Sequence, residues 1–272
     1  MRKKIGELKR GNLYVMVYGN EGCGKTLLAM SLSEDYGKTD KAQHLRGLDV
    51  AYITADSGGP TSVISAGYSP NIPCEVLDGK ADPFPGAIRA VRDFTADKSI
   101  RVLCLDNVTG LAGAFVRFFT DGGTDKDMGY EGWGELLSKF RNLEAECEAA
   151  TRAGKSVIYT AWPKDPTYRE VAGTSVLDQQ GRAMIPGQGQ RWLPGNCDVV
   201  ARMTSRFKKM DVGGKAKQVF SAELHLFASE EWHAKTRWPL PNPFPADLRK
   251  MLDAVNLGAK EIDVAAKAPV KK

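Results

Sequence analysis

The sequence predicts an α/β protein built on a largely parallel sheet. Three observations carry that expectation. Short apolar runs alternate with helix-length stretches along most of the chain; a glycine-rich turn at Gly19 to Thr26 joins one apolar run to a helical pattern; and a later run, Ile100 to Leu105, ends on Asp106.

Leu13 to Tyr18 (LYVMVY) is a compact first strand, and TLLAMSLSEDYG after the turn is a helix ending at Gly37. Asp49 to Thr54 is a second strand and Glu75 to Leu77 a short third, followed by a helix over Pro85 to Ala96. Ile100 to Leu105 is buried strand. Trp133, Leu136, Leu137, Phe140, Leu143 and Cys147 recur at helical spacing, predicting an amphipathic helix from Trp133 to about Arg152 that Gly154 caps. Ser156 to Ala161 is the next strand. Val199 to Phe207 and Gln218 to Ala228 read as paired strands joined by DVGGK, a C-terminal β-hairpin. Residues 1–250 form one core, and 251–272 the end of a helix with a flexible basic tail. Two stretches read as loops. Thr120 to Gly132 is polar and glycine-rich; Trp162 to Cys197, with five glycines and four prolines, is longer than ordinary connections and so a candidate functional loop.

Composition removes several classes. With 272 residues, 42% hydrophobic and 26% charged, the chain is long enough to bury a core without staples. No run of about 18 apolar residues exists, so no membrane partner is expected. The lysines near the N-terminus have the charge of a signal peptide without its apolar core. Cys23, Cys74, Cys104, Cys147 and Cys197 are odd in number and scattered, which favours a reducing cytoplasm over disulfides or structural zinc. His44, His225 and His233 form no ligand spacing. A net charge of +5 is compatible with nucleic acid without announcing it.

Gly19-Asn20-Glu21-Gly22-Cys23-Gly24-Lys25-Thr26 is a complete G-x-x-x-x-G-K-[ST]. Its glycines let successive backbone N–H groups face phosphate oxygens, Lys25 reaches the β- and γ-phosphates, and the Thr26 hydroxyl ligates Mg²⁺. The helix that begins with Thr26 and Leu27 adds its positive end. The nucleotide site is therefore Gly19 to Leu27, with ATP and Mg²⁺ as cofactors. Asp106, ending VLCLD, fits a carboxylate that holds the metal through water, the alternative being an Asp that caps the next helix. Asp56, in AYITADSGG, could take a proton from an attacking water or simply shape a turn before two glycines. Cys23 is a spacer whose backbone N–H matters.

These pieces, with the order strand, phosphate loop, acid-bearing strand, Asp106 strand, long helix and a strand ending near TA, resemble the RecA-like ATPases. More narrowly, they are similar to short phage-encoded RecA-like proteins of single-strand annealing and recombination. The segments YGNEGCGKTLLA, AYITADSGG, RVLCLDNVTG, YEGWGELLSKFRNL, SVIYTAW, LPGNCDVVARM and EWHAKTRWPLP carry the resemblance over roughly residues 10 to 245. It implies a RecA-like core, self-association into a ring or filament, a host-cell cytoplasmic location and possible recombination or replication partners. It also implies that Lys235 and Arg237 form a Lys-x-Arg finger completing hydrolysis in a neighbour, the alternative being a surface pair. Asp56 stands where the family carries a Glu, and Trp162 where a polar γ-phosphate sensor often lies, with Thr160 the nearby candidate.

The long stretch interleaves Lys164, Arg169, Arg182 and Arg191 with Trp162, Tyr168 and Trp192, the mixture that non-specific single-stranded DNA binding uses. Asp165, Glu170 and Asp178 dilute it, and the earlier loop, with Asp121, Asp125 and Asp127, is a poor phosphate groove. Three readings compete: a DNA-dependent ATPase that assembles on single strands, a nucleotide-gated binding module with little turnover, and a small-molecule P-loop kinase. An AAA+ motor is disfavoured because only about 40 residues follow the last strand, few for a helical lid.

Overall fold

The computed structural model describes residues 12–34, 47–56, 58–77, 79–171, 173–211 and 216–257. A nine-stranded sheet organises them. Its parallel part is β1 (Tyr14–Tyr18), β2 (Val50–Thr54), β3 (Cys74–Val76), β4 (Val102–Leu105), β5 (Ser156–Ala161) and β10 (Val199–Asp211), in the spatial order β10, β1, β5, β4, β2, β3. The middle strands are buried end to end, as their unbroken apolar runs require when both faces are covered. β10 turns antiparallel to β11 (Ala216–His225), and short strands β12 (Lys235–Thr236) and β13 (Phe244–Pro245) finish that edge. The expected α/β core with a mostly parallel sheet and a C-terminal hairpin is thus present.

One face carries α3 (Pro83–Ala96), α4 (Val108–Phe119), α5 (Gly129–Arg152) and α6 (Gly189–Asn196), around Phe84, Phe115 and Phe140. Phe84 meets the other two rings edge-on at 5.7 and 5.0 Å, a geometry that adds to plain burial. The other face carries α1 (Lys25–Leu28), α2 (Gly59–Ser65) and α7 (Leu248–Leu257). The expected boundary at residue 250 falls inside α7, whose Leu248, Met251 and Ala254 are buried against the sheet. The tail from residue 258 and the lysines near the N-terminus lie outside the described residues.

Three local expectations change. α1 stops at Leu28 and tightens to a 3₁₀ turn over Ala29–Leu32, rather than running toward Gly37. Ser31 Oγ donates back to the Leu28 carbonyl at 2.7 Å, and the Asp49 carboxylate takes the Ser33 hydroxyl and the Glu34 N–H at 2.6 and 2.9 Å, side-chain bonds that compete with helix continuation. The polar loop is shorter than expected, because a capping box between Thr124 and Asp127 starts a 3₁₀ turn and α5 begins at Gly129. The long stretch is not a loop. It pairs β6 (Pro163–Lys164) with β9 (Arg182–Ala183), projects an exposed hairpin of β7 (Thr167–Val171) and β8 (Thr174–Gln179), and closes with α6.

Candidate functional site

The phosphate loop joins the carboxyl end of β1 to α1. Gly22 and Gly24 hold φ of 71° and 96°, the left-handed region where a Cβ is costly, so these two motif positions require glycine for backbone reasons. At Gly19 the reason is space, since a Cβ would lie 2.3 Å from the Met203 carbonyl oxygen on β10. Lys25 is buried, and its Nζ donates to the Gly19 and Asn20 carbonyls at 2.6 and 2.9 Å. Cys23 is buried beside it, and burial pushes its thiol above the usual range, so the thiolate is disfavoured. Asn20 and Glu21 are exposed on the rim.

β5 separates β1 from β4 in the sheet, and the site bridges that gap. Thr26 Oγ1 donates to Asp106 Oδ2 at 2.6 Å, while Thr160 Oγ1, fully buried at the end of β5, donates to Asp106 Oδ1. Tyr52 on β2 donates to the Thr26 carbonyl at 2.7 Å, fixing the first turn of α1; burial holds this phenol neutral. The sequence placed Lys25, Thr26 and Asp106 together, and the structure does so. The sequence named Thr160 as a γ-phosphate-sensor candidate but not its bond to Asp106, and it missed the Tyr52 support; Tyr52 reads as strand interior, and only its position level with the motif could have flagged it. The helix-cap alternative for Asp106 does not hold, because the neighbouring Asn107 caps α4 through the Gly110 N–H at 2.6 Å.

Asp56 lies two residues past β2. Its Oδ1 accepts from the Gly58 N–H at 2.9 Å and its carbonyl accepts from Thr54 Oγ1 at 2.9 Å, a turn that launches α2. No bond joins it to the phosphate loop, although Gly59, next in that turn, sits against Asp106, with a Cβ there 3.2 Å from Oδ2. Lys235 and Arg237 are held within the chain: Lys235 Nζ donates to the Gly195 carbonyl at 2.7 Å, and Arg237 pairs with buried Asp198 at 3.3 Å. β12 runs antiparallel to the start of β10, with Thr236 opposite Val199, which is itself opposite Val15. Arg237 therefore lies toward the amino end of β1, away from this chain's own phosphate loop.

The expected nucleic-acid residues are dispersed over one side. Lys164 and Arg182 face each other across β6 and β9. Tyr168 donates to Glu231 at 2.5 Å and Arg169 lies 3.9 Å from Asp178, both on the projecting hairpin. Arg191 is exposed on α6, and Trp192 packs on the core. A cavity of about 760 Å³ opens between α4, the start of α5 and β6–β9, lined by Trp133, Trp162, Lys164 and Arg182 among others. Asp125, from the acidic segment expected to be a poor phosphate groove, lines the same cavity.

A phosphate loop at the end of a parallel strand, with its Thr bonded to a strand-end Asp across one interposed strand, defines a P-loop nucleotide-binding domain of the ATPase type. The family model for an AAA domain (AAA_24) matches residues 11–238, and the chain belongs to that family. No curated protein matches the chain. Among solved structures, the crystal structure of a KaiC-like protein from the hyperthermophilic archaeon Pyrococcus horikoshii OT3 aligns over 84% of both chains at 12% identity, with a TM-score of 0.41. Few residues follow the last strand for a helical lid of the AAA+ kind, yet the family match makes this an AAA domain, and among the described residues α7 is the helix that follows β13.

The described residues contain no group of three or more His, Cys, Asp or Glu side chains that could hold a metal alone. That suits Mg²⁺, which takes one or two carboxylates together with substrate phosphates, and the hard-oxygen pair of Thr26 and Asp106 at 2.6 Å is such a set. No helix among the described residues is long and apolar enough to cross a membrane.

Proposed function

We propose that the chain hydrolyses ATP and acts on single-stranded DNA in recombination or strand annealing, with hydrolysis completed between subunits. The observation that carries the hydrolytic part is the bonded set Thr26–Asp106–Thr160 at the mouth of a complete phosphate loop. Lys25 reaches the β- and γ-phosphates by leaving two backbone carbonyls, and the loop's N–H groups orient the triphosphate. Mg²⁺ held by Thr26 and Asp106 neutralises charge on the phosphate oxygens when bound. Asp56 lies beside the Gly59–Asp106 contact and orients or deprotonates the attacking water. Its Oδ1 accepts the Gly58 N–H, and Oδ2 is the oxygen that takes the water. Arg237, half exposed and turned from its own loop, reaches a neighbour's γ-phosphate together with Lys235, and a cation there stabilises the developing charge.

Support for the DNA part is the placement of Trp133, Trp162, Lys164 and Arg182 around one cavity, aromatic faces beside cations. ATP turnover with and without oligo(dT), in wild type, Lys25→Ala and Arg237→Ala, tests the reading. Stimulation by DNA that both variants lose supports it, as does rescue of Arg237→Ala turnover by mixing with Lys25→Ala subunits. ATP binding with background turnover in the presence of DNA removes the hydrolytic mechanism and leaves a nucleotide-gated binding module. A phosphorylated small-molecule product would instead indicate a kinase.

A further inference from the structure

A second, smaller pocket of about 240 Å³ lies between α6, β9 and β12, on the sheet face opposite α1. Gln180, Arg182, Gln190, Arg191, His233 and Lys235 supply its polar lining, and none of its described lining residues is Asp or Glu. Three cations therefore converge on one concavity without an acid in its wall. The acids nearby are engaged elsewhere: Asp198 pairs with Arg237 at 3.3 Å, and Glu231 accepts from Tyr168. Arg182 spends one Nη on the Gln179 amide at 3.2 Å, while its Nε is buried and meets no acceptor. Burying a guanidinium N–H without a partner is costly enough that such groups are rare in native structures.

We propose that this pocket is a phosphate-binding site, separate from the phosphate loop, in which Arg182 and Arg191 hold the anion, Gln190 completes its hydrogen bonds, and Lys235, bonded to the Gly195 carbonyl, adds positive charge to the wall. Size agrees with the chemistry. Drug-sized and cofactor ligands occupy roughly 300–1,000 Å³, so about 240 Å³ takes a phosphate group with little attached rather than a whole nucleoside triphosphate. Planar guanidinium groups match phosphate oxygens in pairs, and two of them meet here from different elements, one on β9 and one on α6. The local field agrees too: burial, and then the charges of Lys235 and Arg182, hold the His233 imidazole below its ordinary range, and burial also lowers the Lys235 ammonium. The frame is rigid without a ligand, since the Gly181 N–H donates to the Glu231 carbonyl at 2.6 Å and the His233 N–H to the Gly181 carbonyl at 2.8 Å. Tyr18, the residue before the phosphate loop, donates its hydroxyl to the His233 carbonyl, so the pocket abuts the strand that carries the loop.

The anion is either a free or nucleotide phosphate or a backbone phosphate of a polynucleotide, and the test separates them. In the Lys25→Ala protein, which disables the phosphate loop, calorimetry measures binding of inorganic phosphate and pyrophosphate. Anisotropy measures binding of labelled oligo(dT) and of its neutral methylphosphonate analogue. Each is repeated with Arg191→Ala and with Arg182→Gln added. Arg191 is exposed, so its variant folds, and unchanged circular dichroism and melting without ligand verify this for both.

Pyrophosphate binding that weakens about tenfold with each substitution supports the site with a small phosphate as its occupant. Affinity for charged but not neutral oligo(dT) that weakens similarly supports it with a strand phosphate. If neither probe responds to either substitution, the pocket is not a phosphate site. Oligo(dT) and pyrophosphate binding that both substitutions leave intact overturns the pocket but preserves the DNA reading. No oligo(dT) binding by wild type overturns the DNA reading alone.

Discussion

The two anion-facing regions of this molecule are held together in different ways. At the carboxyl ends of β1, β4 and β5, side chains hold one another: Lys25 on loop carbonyls, Thr26 and Thr160 on the two oxygens of Asp106. On the other face the frame is mostly backbone pairing; Lys235 rests on the Gly195 carbonyl and Arg182 on the Gln179 amide, while Arg182 Nε and exposed Arg191 keep donors toward a shared concavity. A region whose side chains bond each other is positioned before any ligand arrives. One framed mostly by its backbone leaves donors for an anion that enters.

The largest expected effect is at the first region. Lys25→Ala should reduce ATP turnover by a factor of about 10² or more, the scale for removing one group that meets developing charge, with melting temperature nearly unchanged in the absence of nucleotide. Steady-state kinetics and a nucleotide-induced melting shift check it together. Thr160→Val should cost about 1–3 kcal/mol in urea denaturation, because it leaves one oxygen of a buried carboxylate without its donor while filling the same space. A cost near zero would mean that the first region owes its order to backbone after all.

The next effect lies beneath the sheet. Glu144 on α5 is buried; Tyr159 donates to its Oε2 at 2.7 Å, and its Oε1 has no partner. Burial raises its carboxyl above the usual range, against the hydroxyl and amide hydrogen bonds that lower it. An acid whose folded pKa is raised contributes stability below its unfolded pKa of about 4.3, and that contribution is lost as pH rises through the folded value. Glu144→Gln should therefore flatten the fall in stability above pH ~4.3 and leave the variant the more stable at neutral pH, read from denaturation midpoints across that range. The smallest effect is on the projecting hairpin. Arg169 and Asp178, both largely exposed and 3.9 Å apart, should contribute within about 0.5 kcal/mol, so Arg169→Ala should leave the melting temperature in place.

The parallel core was legible because its strands are uninterrupted apolar runs, and the phosphate loop because only certain residues can adopt its backbone. Thr160 was legible as a polar candidate near its strand's end, but its bond to Asp106 was not, since a threonine in a buried strand reads as a β-former whatever its hydroxyl meets. α2 and α4 were passed over because Gly58-Gly59-Pro60 reads as a turn and Gly110 and Gly113 depress helix propensity inside α4. The stretch from 162 to 197 resisted for another reason. Its hairpin is exposed along both strands, so no buried face imposes the period of two that reveals a strand. Lys235 is far in sequence from Arg182 and Arg191, and only the fold makes it their neighbour.

Asp106 spans the width of a strand, with Thr26 taking one oxygen on the α1 side and Thr160 the other on β5. A carboxylate so engaged works as a gauge of the distance between two elements. If the Thr26 hydroxyl turns toward a metal, the tension falls next on β5. Two residues further along, Trp162 begins the cation-bearing segment, its backbone N–H held at 3.0 Å by the hydroxyl of Thr109, three residues beyond Asp106. The same threonine hydroxyl donates to the Met184 carbonyl at 2.8 Å, so Trp162 and Met184 are both tethered to the helix that follows the strand-end acid. The strand-end acid is thus joined to the cation-bearing segment through one strand, β5, and one helix turn, the start of α4.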